Sequence, residues 1–180
     1  QAPEGTDNVL ATTIDGKAFN DLLTETVGKT GEKTLVGDYA KFTLGGCGLI
    51  ASYIHFNSKV GTMLEINTSS DDVAGAEIVK RAGLDIAMHI TASKPLALDK
   101  DGIDPQAIEQ EKAVYAEQAK DKPAEIVERI VDGKMKKFYA ENCLLEQPFV
   151  KDDSKSVREV LIEAAKQAGV ATQMGNQGQA

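Results

Sequence analysis

Residues 134–151 read Lys-Met-Lys-Lys-Phe-Tyr-Ala-Glu-Asn-Cys-Leu-Leu-Glu-Gln-Pro-Phe-Val-Lys, and the predicted fold is organised around them. The stretch begins as a lysine-rich segment with helical spacing and passes into a short apolar turn at Pro148. Just upstream, one apolar stripe at the same spacing is formed by Ile126, Val127, Ile130, Val131, Met135 and Phe138. Such a stripe is typical of a helix that buries one face. The pattern therefore predicts a long helix over residues 124–142.

A second helix is predicted immediately before this one. Asp104-Pro105 opens it, because proline is tolerated in the first turn of a helix. Residues 106–120 are polar almost all round, so this arm is expected to be exposed. Asp121-Lys-Pro123 then forms the bend. Together the two helices predict a projecting helical hairpin over about residues 105–142.

The segment 34–67 shows the pattern of β-strands. Three runs rich in branched and aromatic residues, at 35–44, 49–56 and 60–66, are separated by Gly45-Gly46 and by Asn57-Ser58. We read the first glycine pair as a hairpin turn, since a phosphate-binding loop would need the GxxxxGK[ST] pattern before a helix. The predicted fold class is α+β: a small antiparallel three-stranded sheet packed against helices.

Three further helices are predicted from their start and stop signals. A helix over 18–27 follows the turn at Asp15-Gly16 and ends at Gly28 and Gly31, and a helix over about 72–92 is capped by residues 69–72 and stopped by Pro95. A last helix over 155–168 is predicted to be capped by Asp152-Asp153-Ser154. These elements predict a flexible leader at 1–14, one core domain over 15–168 and a disordered tail at 169–180.

Charge and cysteine content exclude several classes of function. Asp and Glu number 28 against 20 Lys and Arg, and the net charge of −8 disfavours binding to nucleic acid or to anionic membranes. No apolar run is long enough to span a bilayer. The two cysteines, Cys47 and Cys143, lack metal-ligand spacing, so reduced thiols in the cytoplasm are expected.

The two histidines are the main candidates for acid–base chemistry. His55 lies near a predicted strand end beside Tyr53 and Lys59, where it could contact a partner, act as a base or make only a cross-strand hydrogen bond. His89 follows Asp85 by four residues, a spacing that permits a local pair. No HExxH or comparable motif is present, so we expect no catalytic residue, no metal site and no cofactor. A local basic patch, either a solvated helix end or a docking patch for an acidic partner, consists of Lys134, Lys136, Lys137 and Lys151.

Four pieces of the sequence, in this order and spacing, resemble the elongation factor Ts family. They are Asp15-Gly-Lys with Lys29-Thr-Gly-Glu32, then Tyr53-Ile-His55, then Asp-Ile-Ala-Met-His-Ile-Thr-Ala-Ser-Lys-Pro at 85–95, then residues 130–139 through Gln147-Pro-Phe-Val150. Each piece alone is ordinary. Over about residues 15–168 their combination is similar to the core, or dimerisation, domain of this nucleotide exchange factor.

The resemblance implies a function without covalent chemistry. The factor binds the nucleotide-free GTPase elongation factor Tu better than its GDP form and so promotes GDP release. It also implies a bacterial-type cytoplasmic location and a homodimer through the core domain as a second mode of association. The contacts with elongation factor Tu that it implies are Lys29, Thr30, Gly31, Glu32, Tyr53, His55 and Lys59.

The sequence also departs from the family pattern. The ubiquitin-associated-like N-terminal domain and the Thr-Asp-Phe-Val motif are missing, and Phe56 stands where the family usually has glycine. We therefore expect these residues to bind elongation factor Tu without catalysing exchange on their own. The alternative is a structural module that only self-associates, and an enzyme centred on His55 is the third hypothesis.

Overall fold

The computed structural model describes residues 9–169 of the chain. The elements in chain order are β1 Thr13–Ile14, β2 Lys17–Ala18, α1 Phe19–Thr30, β3 Gly48–Ile54, β4 Gly61–Asn67, α2 Asp71–Gly75, α3 Glu77–Ser93, a 3-10 turn Lys100–Gly102, α4 Pro105–Gln118, α5 Ala124–Asn142, a 3-10 turn Leu144–Glu146, β5 Pro148–Phe149, β6 Asp152–Ser156 and α6 Val157–Gln167. This mixture of helices and small antiparallel sheets is an α+β fold, as the sequence predicts.

The chain divides into two compact units, Gln1–Thr43 and Leu44–Ala180, and each is described by itself. The single core domain that the sequence indicates over residues 15–168 stays a prediction. Part of the predicted leader, residues 1–8, and most of the predicted tail, residues 170–180, lie outside the described residues. Residues 13–14 of the leader form β1.

The first unit contains a tight hairpin followed by helix α1. The turn between β1 and β2 has positive φ angles at Asp15 (49°) and Gly16 (80°), as expected for a two-residue hairpin loop. Helix α1 continues through Gly28, which we expected to end it. It ends at Thr30, because Gly31 adopts φ 68° and donates its N–H to the carbonyl of Val27 at 2.9 Å.

The strand predicted at residues 35–44 is absent, and the prediction of a three-stranded sheet is wrong for the described residues. Residues 33–44 are neither helical nor extended in a sheet, and β3 pairs only with β4. Leu35, Tyr39 and Phe42 are exposed and are spaced four and three residues apart. That spacing lacks the two-residue period with which a strand buries one face. The pair Gly45-Gly46 lies in a bend before β3 rather than in a hairpin turn.

The β3–β4 hairpin is the main sheet of the second unit. It pairs in register from Gly48 opposite Asn67 to Ile54 opposite Gly61, and the predicted turn contains Ser58 at φ 55°. Its inner face lies on helix α3, and the contact is closest at a glycine.

Gly83 of α3 has no room for a side chain. A Cβ atom at this position would lie 3.0 Å from the Cβ of Ala51 and 3.2 Å from the side chains of Leu49 and Ile66. The helix backbone therefore approaches the sheet directly, and the hairpin is held against α3 along its buried face.

The helix predicted over 72–92 is two helices. Ser70 caps α2 by accepting the N–H of Val73 at 3.3 Å, and the chain becomes extended at Ala76 (ψ 130°) before α3 begins. Helix α3 ends where Lys94 adopts a left-handed conformation, one residue before Pro95. The N-cap and the end of the pair were predictable, and Gly75, the last residue of α2, was a usable signal for the break at Ala76 that the sequence prediction passed over.

Helices α4 and α5 form a helical pair joined by residues 119–123. Asp104 caps α4 by accepting the N–H of Gln106 at 2.9 Å, with Pro105 in the first turn as predicted. Helix α4 has no buried residue. Across the pair, the Lys134 ammonium lies 5.1 Å from the centre of the Tyr115 ring and also bonds Gln118.

The core of the second unit joins α3 to the segment that follows α5. Its buried cluster consists of Ile86, Leu144, Leu145, Phe149 and Val157, with Leu64, Ile90, Val160 and Leu161 packed against it. The cap of α6 is Ser156 in a reciprocal pair with Glu159, rather than the predicted residues 152–154, which lie in β6. The N–H of Ser156 bonds the Glu159 carboxylate and lowers the pKa of Glu159.

A short segment at residues 96–98 is attached to residues 142–145 by backbone hydrogen bonds. The N–H groups of Leu96 and Ala97 donate to the carbonyl of Asn142, and the carbonyls of Ala97 and Leu98 accept from Leu144 and Leu145 at 2.9 and 3.0 Å. The side chains of Leu96 and Leu98 are 71% and 57% exposed.

Candidate functional site

The end of the β3–β4 hairpin carries three of the seven predicted contact residues. His55 follows the last residue of β3 and is anchored by its backbone, since its N–H donates to Val60 at 2.9 Å and its carbonyl accepts from Ser58 at 2.8 Å. Its ring is oriented by the Tyr53 hydroxyl, which lies 3.1 Å from Nδ1. Lys59 is exposed next to them, and its N–H bonds the side chain of Asn57 at 3.0 Å.

Large apolar side chains surround this histidine in solvent. Phe56 is 89% exposed and Ile54 is 71% exposed, and the Phe56 ring centre lies 4.4 Å from that of His55. The outer face and turn add further part-exposed apolar residues, namely Ile50, Val60 and Met63. Contiguous exposed apolar patches are common at protein–protein interfaces. We name it the hairpin end: residues 54–60.

Phe56 is the residue that sequence reasoning missed. It was treated only as a departure from a glycine, although an aromatic side chain directly before the polar turn residues Asn57-Ser58 was a usable signal. Phe56 lies two residues after Ile54, the last residue of β3, and both side chains are exposed.

The other four predicted contact residues lie in the first unit. Lys29 and Thr30 are the last residues of α1, Gly31 supplies its left-handed cap, and Glu32 follows. The Thr30 hydroxyl donates to the Thr26 carbonyl at 2.9 Å and accepts the N–H of Glu32 at 3.3 Å. All four are exposed. The seven residues thus form two groups, one in each unit.

His89 does not make the predicted pair with Asp85. Asp85 instead bonds Lys151 at 2.6 Å, while His89 is fully buried. The Nδ1 atom of His89 accepts the N–H of Val150 at 3.2 Å, so the ring proton is on Nε2, which donates to Oε1 of Gln147 at 2.9 Å. Because His89 is buried and has two hydrogen-bond partners, its role is to stabilise the core.

Gln147 extends this buried network. Its side-chain amide donates to the carbonyl of Glu141 at 2.7 Å, at the end of α5, and its main-chain carbonyl accepts the N–H of Val157 at the start of α6. His89 and Gln147, whose side chains are buried, therefore connect α3, α5 and α6 through hydrogen bonds. We name these two residues the buried pair.

The described residues offer no metal-ligand cluster or membrane segment. Within residues 9–169 there is no group of three or more His, Cys, Asp and Glu side chains placed to hold a metal ion, and no helix is long and apolar enough to cross a bilayer. Cys47 is exposed and Cys143 is buried, and burial raises the pKa of the Cys143 thiol. A raised pKa keeps that thiol protonated and unreactive.

Comparison with known protein families identifies the chain. The family model described as elongation factor TS matches residues 1–175. The chain belongs to the elongation factor Ts family. This confirms the resemblance carried by the motifs at residues 15–32, 53–55, 85–95 and 130–150.

Individual members of the family show the same similarity. Elongation factor Ts of a Nitratiruptor species is 39% identical over 170 residues, which cover 93% of this chain and 55% of that protein. The protein of Oleidesulfovibrio alaskensis is 50% identical over 116 residues (63% and 59%), and that of Geotalea uraniireducens is 47% identical over 124 residues (68% and 57%). The chain spans somewhat more than half the length of these relatives.

Proposed function

We propose that this chain binds the GTPase elongation factor Tu through the hairpin end and takes part in guanine nucleotide exchange. Membership of the elongation factor Ts family supports the class of partner. The observation that carries the proposal is the pair of exposed side chains, Ile54 and Phe56, on either side of a histidine whose ring is already oriented. Ordered apolar anchors of this kind supply most of the binding energy at protein interfaces.

The hairpin end offers a partner one polar group with apolar side chains next to it. The Tyr53 hydroxyl engages Nδ1 of His55, and Nε2 has no partner among residues 9–169. That nitrogen can therefore bond a group of the GTPase while Phe56 excludes water around it. Lys59, and the turn formed by residues 29–32, complete the proposed contacts.

The proposed activity involves no covalent step. A factor that binds the empty GTPase more tightly than the GDP-bound form must weaken GDP binding by the same ratio, because the two affinities are linked. The chain would act where translation takes place, in a bacterial-type cytoplasm. The α4–α5 pair is proposed to project from the core as a helical hairpin, since α4 has no buried residue.

The test is a calorimetric titration of the chain against elongation factor Tu in its nucleotide-free and GDP-bound forms. We expect measurable binding to both and tighter binding to the nucleotide-free form. Release of a fluorescent GDP analogue, followed with and without the chain, then reports exchange. Equal affinity for the two forms would contradict the exchange role. Absence of binding to either form would contradict the assignment of elongation factor Tu as the partner.

Self-association is the second candidate, because the outer face of the hairpin is also apolar. Ile50, Ile54 and Met63 lie at alternate positions of β3 and β4 and are 37%, 71% and 39% exposed. Sedimentation over a range of concentrations distinguishes the two. A stable dimer without affinity for the GTPase supports the structural module, whereas a monomer that binds the GTPase supports the leading proposal.

A further inference from the structure

Helix α3 runs along the β3–β4 hairpin towards the hairpin end. Gly83 lies against the side chain of Ile66. Further along the helix, the Thr91 hydroxyl lies 2.8 Å from the Thr62 hydroxyl and bonds it. The helix rises about 12 Å between these two contacts and the strand advances about 13 Å, so the helix follows the strand. Lys94, about 4.5 Å beyond Thr91 along the helix, is therefore level with the hairpin end.

Lys94 has a backbone conformation that a lysine adopts only at a cost. Its φ of 47° and ψ of 58° are left-handed, and Pro95 follows it directly. The Cβ atom of an L residue is crowded in this region, whereas glycine enters it freely and is the commonest residue just after a helix. A positive charge at a helix C-terminus offsets part of the cost. Strained residues other than glycine cluster at binding sites, so we expect this side chain to bind a partner.

The hairpin end and the end of α3 carry positive charge in an acidic chain. Within residues 9–169, neither the ammonium of Lys94 nor that of Lys59 has a hydrogen bond or an ion pair. Asp and Glu number 28 in the 180-residue chain, yet none of them occurs in residues 44–64 or 86–98. These two stretches contain the hairpin end and the last turns of α3. Both ammonium groups are therefore available to carboxylates of another protein.

We propose that Lys94 belongs to the surface that binds the GTPase, and that its ammonium, with that of Lys59, binds carboxylates of elongation factor Tu. This inference rests on the proposed function, since it extends the hairpin end to the end of α3. The partner surface that fits is an apolar depression for Ile54 and Phe56 bordered by Asp or Glu side chains. Charges at the border of an interface chiefly accelerate association, and salt screens their effect.

The test is a calorimetric titration of nucleotide-free elongation factor Tu with the 180-residue chain and its variants, at about 0.05 M and about 0.3 M salt. Lys94→Gln removes the charge and should weaken binding about three- to tenfold at the lower salt, with a smaller difference at the higher salt. Lys94→Arg keeps the charge and should retain the affinity of the unsubstituted chain.

Lys166→Gln is the matched control. Lys166 is likewise exposed in the last turn of a helix, α6, and likewise has no ion pair in the described part of the chain. The substitution removes the same charge from an equivalent position, so affinity should not change. If Lys94→Gln binds as tightly as the unsubstituted chain, or if Lys166→Gln is weakened to the same extent, the role of Lys94 is overturned while the proposed function stands. If the unsubstituted chain does not bind, both fail.

Lys94→Gly tests whether the lysine serves the fold instead. Glycine adopts the left-handed conformation without strain, so the urea midpoint should be no lower than that of the unsubstituted chain. Affinity for the GTPase should nevertheless fall as it does in Lys94→Gln. A lower midpoint together with unchanged affinity would show that the lysine only ends the helix, and would overturn the proposal.

Discussion

The buried pair and the hairpin end each contain a histidine, and the two rings have opposite surroundings. His89 is fully buried and bonds groups 58 and 61 residues away in the sequence. His55 is half-buried, and within residues 9–169 its side chain bonds only Tyr53, two residues away. The first histidine therefore holds distant parts of the chain together, while the second is merely oriented by its own strand.

The difference shows how burial decides what a polar side chain does. A buried donor or acceptor that loses its partner cannot bond water instead, so each bond of His89 is costly to remove. At the hairpin end, water replaces any lost bond, so substitutions there should leave the fold intact. Their effect should appear only when a partner is present.

The largest effect is expected from His89→Ala. The substitution leaves a cavity and strands the acceptor of Gln147 and the N–H of Val150, so the free energy of unfolding should fall by roughly 3–5 kcal/mol. Urea unfolding followed by circular dichroism measures it. The matched control is His55→Ala, which should change the same quantity by less than about 0.5 kcal/mol. Similar losses of unfolding free energy in the two variants would contradict the difference proposed between His89 and His55.

Gln147→Leu should have the next largest effect. The side chain keeps a similar volume but loses both the acceptor for His89 and the donor to Glu141, so about 1–3 kcal/mol of unfolding free energy should be lost. Urea midpoints again report the change. The comparison with Gln110→Leu, an exposed position on α4, separates the loss of buried bonds from the change of residue type. A urea midpoint as high as that of the unsubstituted protein would show that these buried hydrogen bonds do not contribute to stability.

Phe56→Ala tests the other side of the comparison. The ring is almost wholly in solvent, so the unfolding free energy should stay within about 0.5 kcal/mol. Affinity for nucleotide-free elongation factor Tu should fall by about 1–2 kcal/mol, or about 5–30-fold, if this ring is an anchor. Leu35→Ala, at another exposed position, is the control and should leave affinity unchanged. Loss of affinity in both variants would point to a general effect rather than to the hairpin end.

The smallest effect is expected from Tyr53→Phe. The change removes only the hydroxyl that orients His55, so affinity for the GTPase should fall by about 0.5–1 kcal/mol with no loss of stability. His55→Ala should weaken binding at least as much, because it removes the ring itself. In the double variant the Tyr53 change should have no further effect. Additive losses would mean that Tyr53 acts on the partner directly.

Local signals in the sequence predicted much of this fold. The turn at Asp15-Gly16, the Asp104-Pro105 start of α4 and the bounds of α5 all follow from residues close to one another in the chain. The prediction of a strand at 35–44 failed because branched and aromatic content was weighed above the missing two-residue period. The break at Ala76 was missed although Gly75, a poor helix former, stands directly before it.

The candidate sites show the same limit. The orientation of His55 could be expected from Tyr53, because alternate residues of a strand share a face. The hydrogen-bond partners of His89 could not be expected from the sequence, since Gln147 and Val150 come close to it only after α3 has packed against the end of α5. The sequence suggested Asp85 because a spacing of four residues is visible locally, whereas Lys151, its actual partner, lies 66 positions away.

The backbone attachment of residues 96–98 determines which substitutions this segment tolerates. Its attachment to residues 142–145 uses main-chain groups, which every amino acid except proline supplies in full. Leu96, which is 71% exposed, can accordingly be exchanged for other residues except proline without loosening the connection. A reporter group such as a fluorescent dye could be attached at this position with little disturbance.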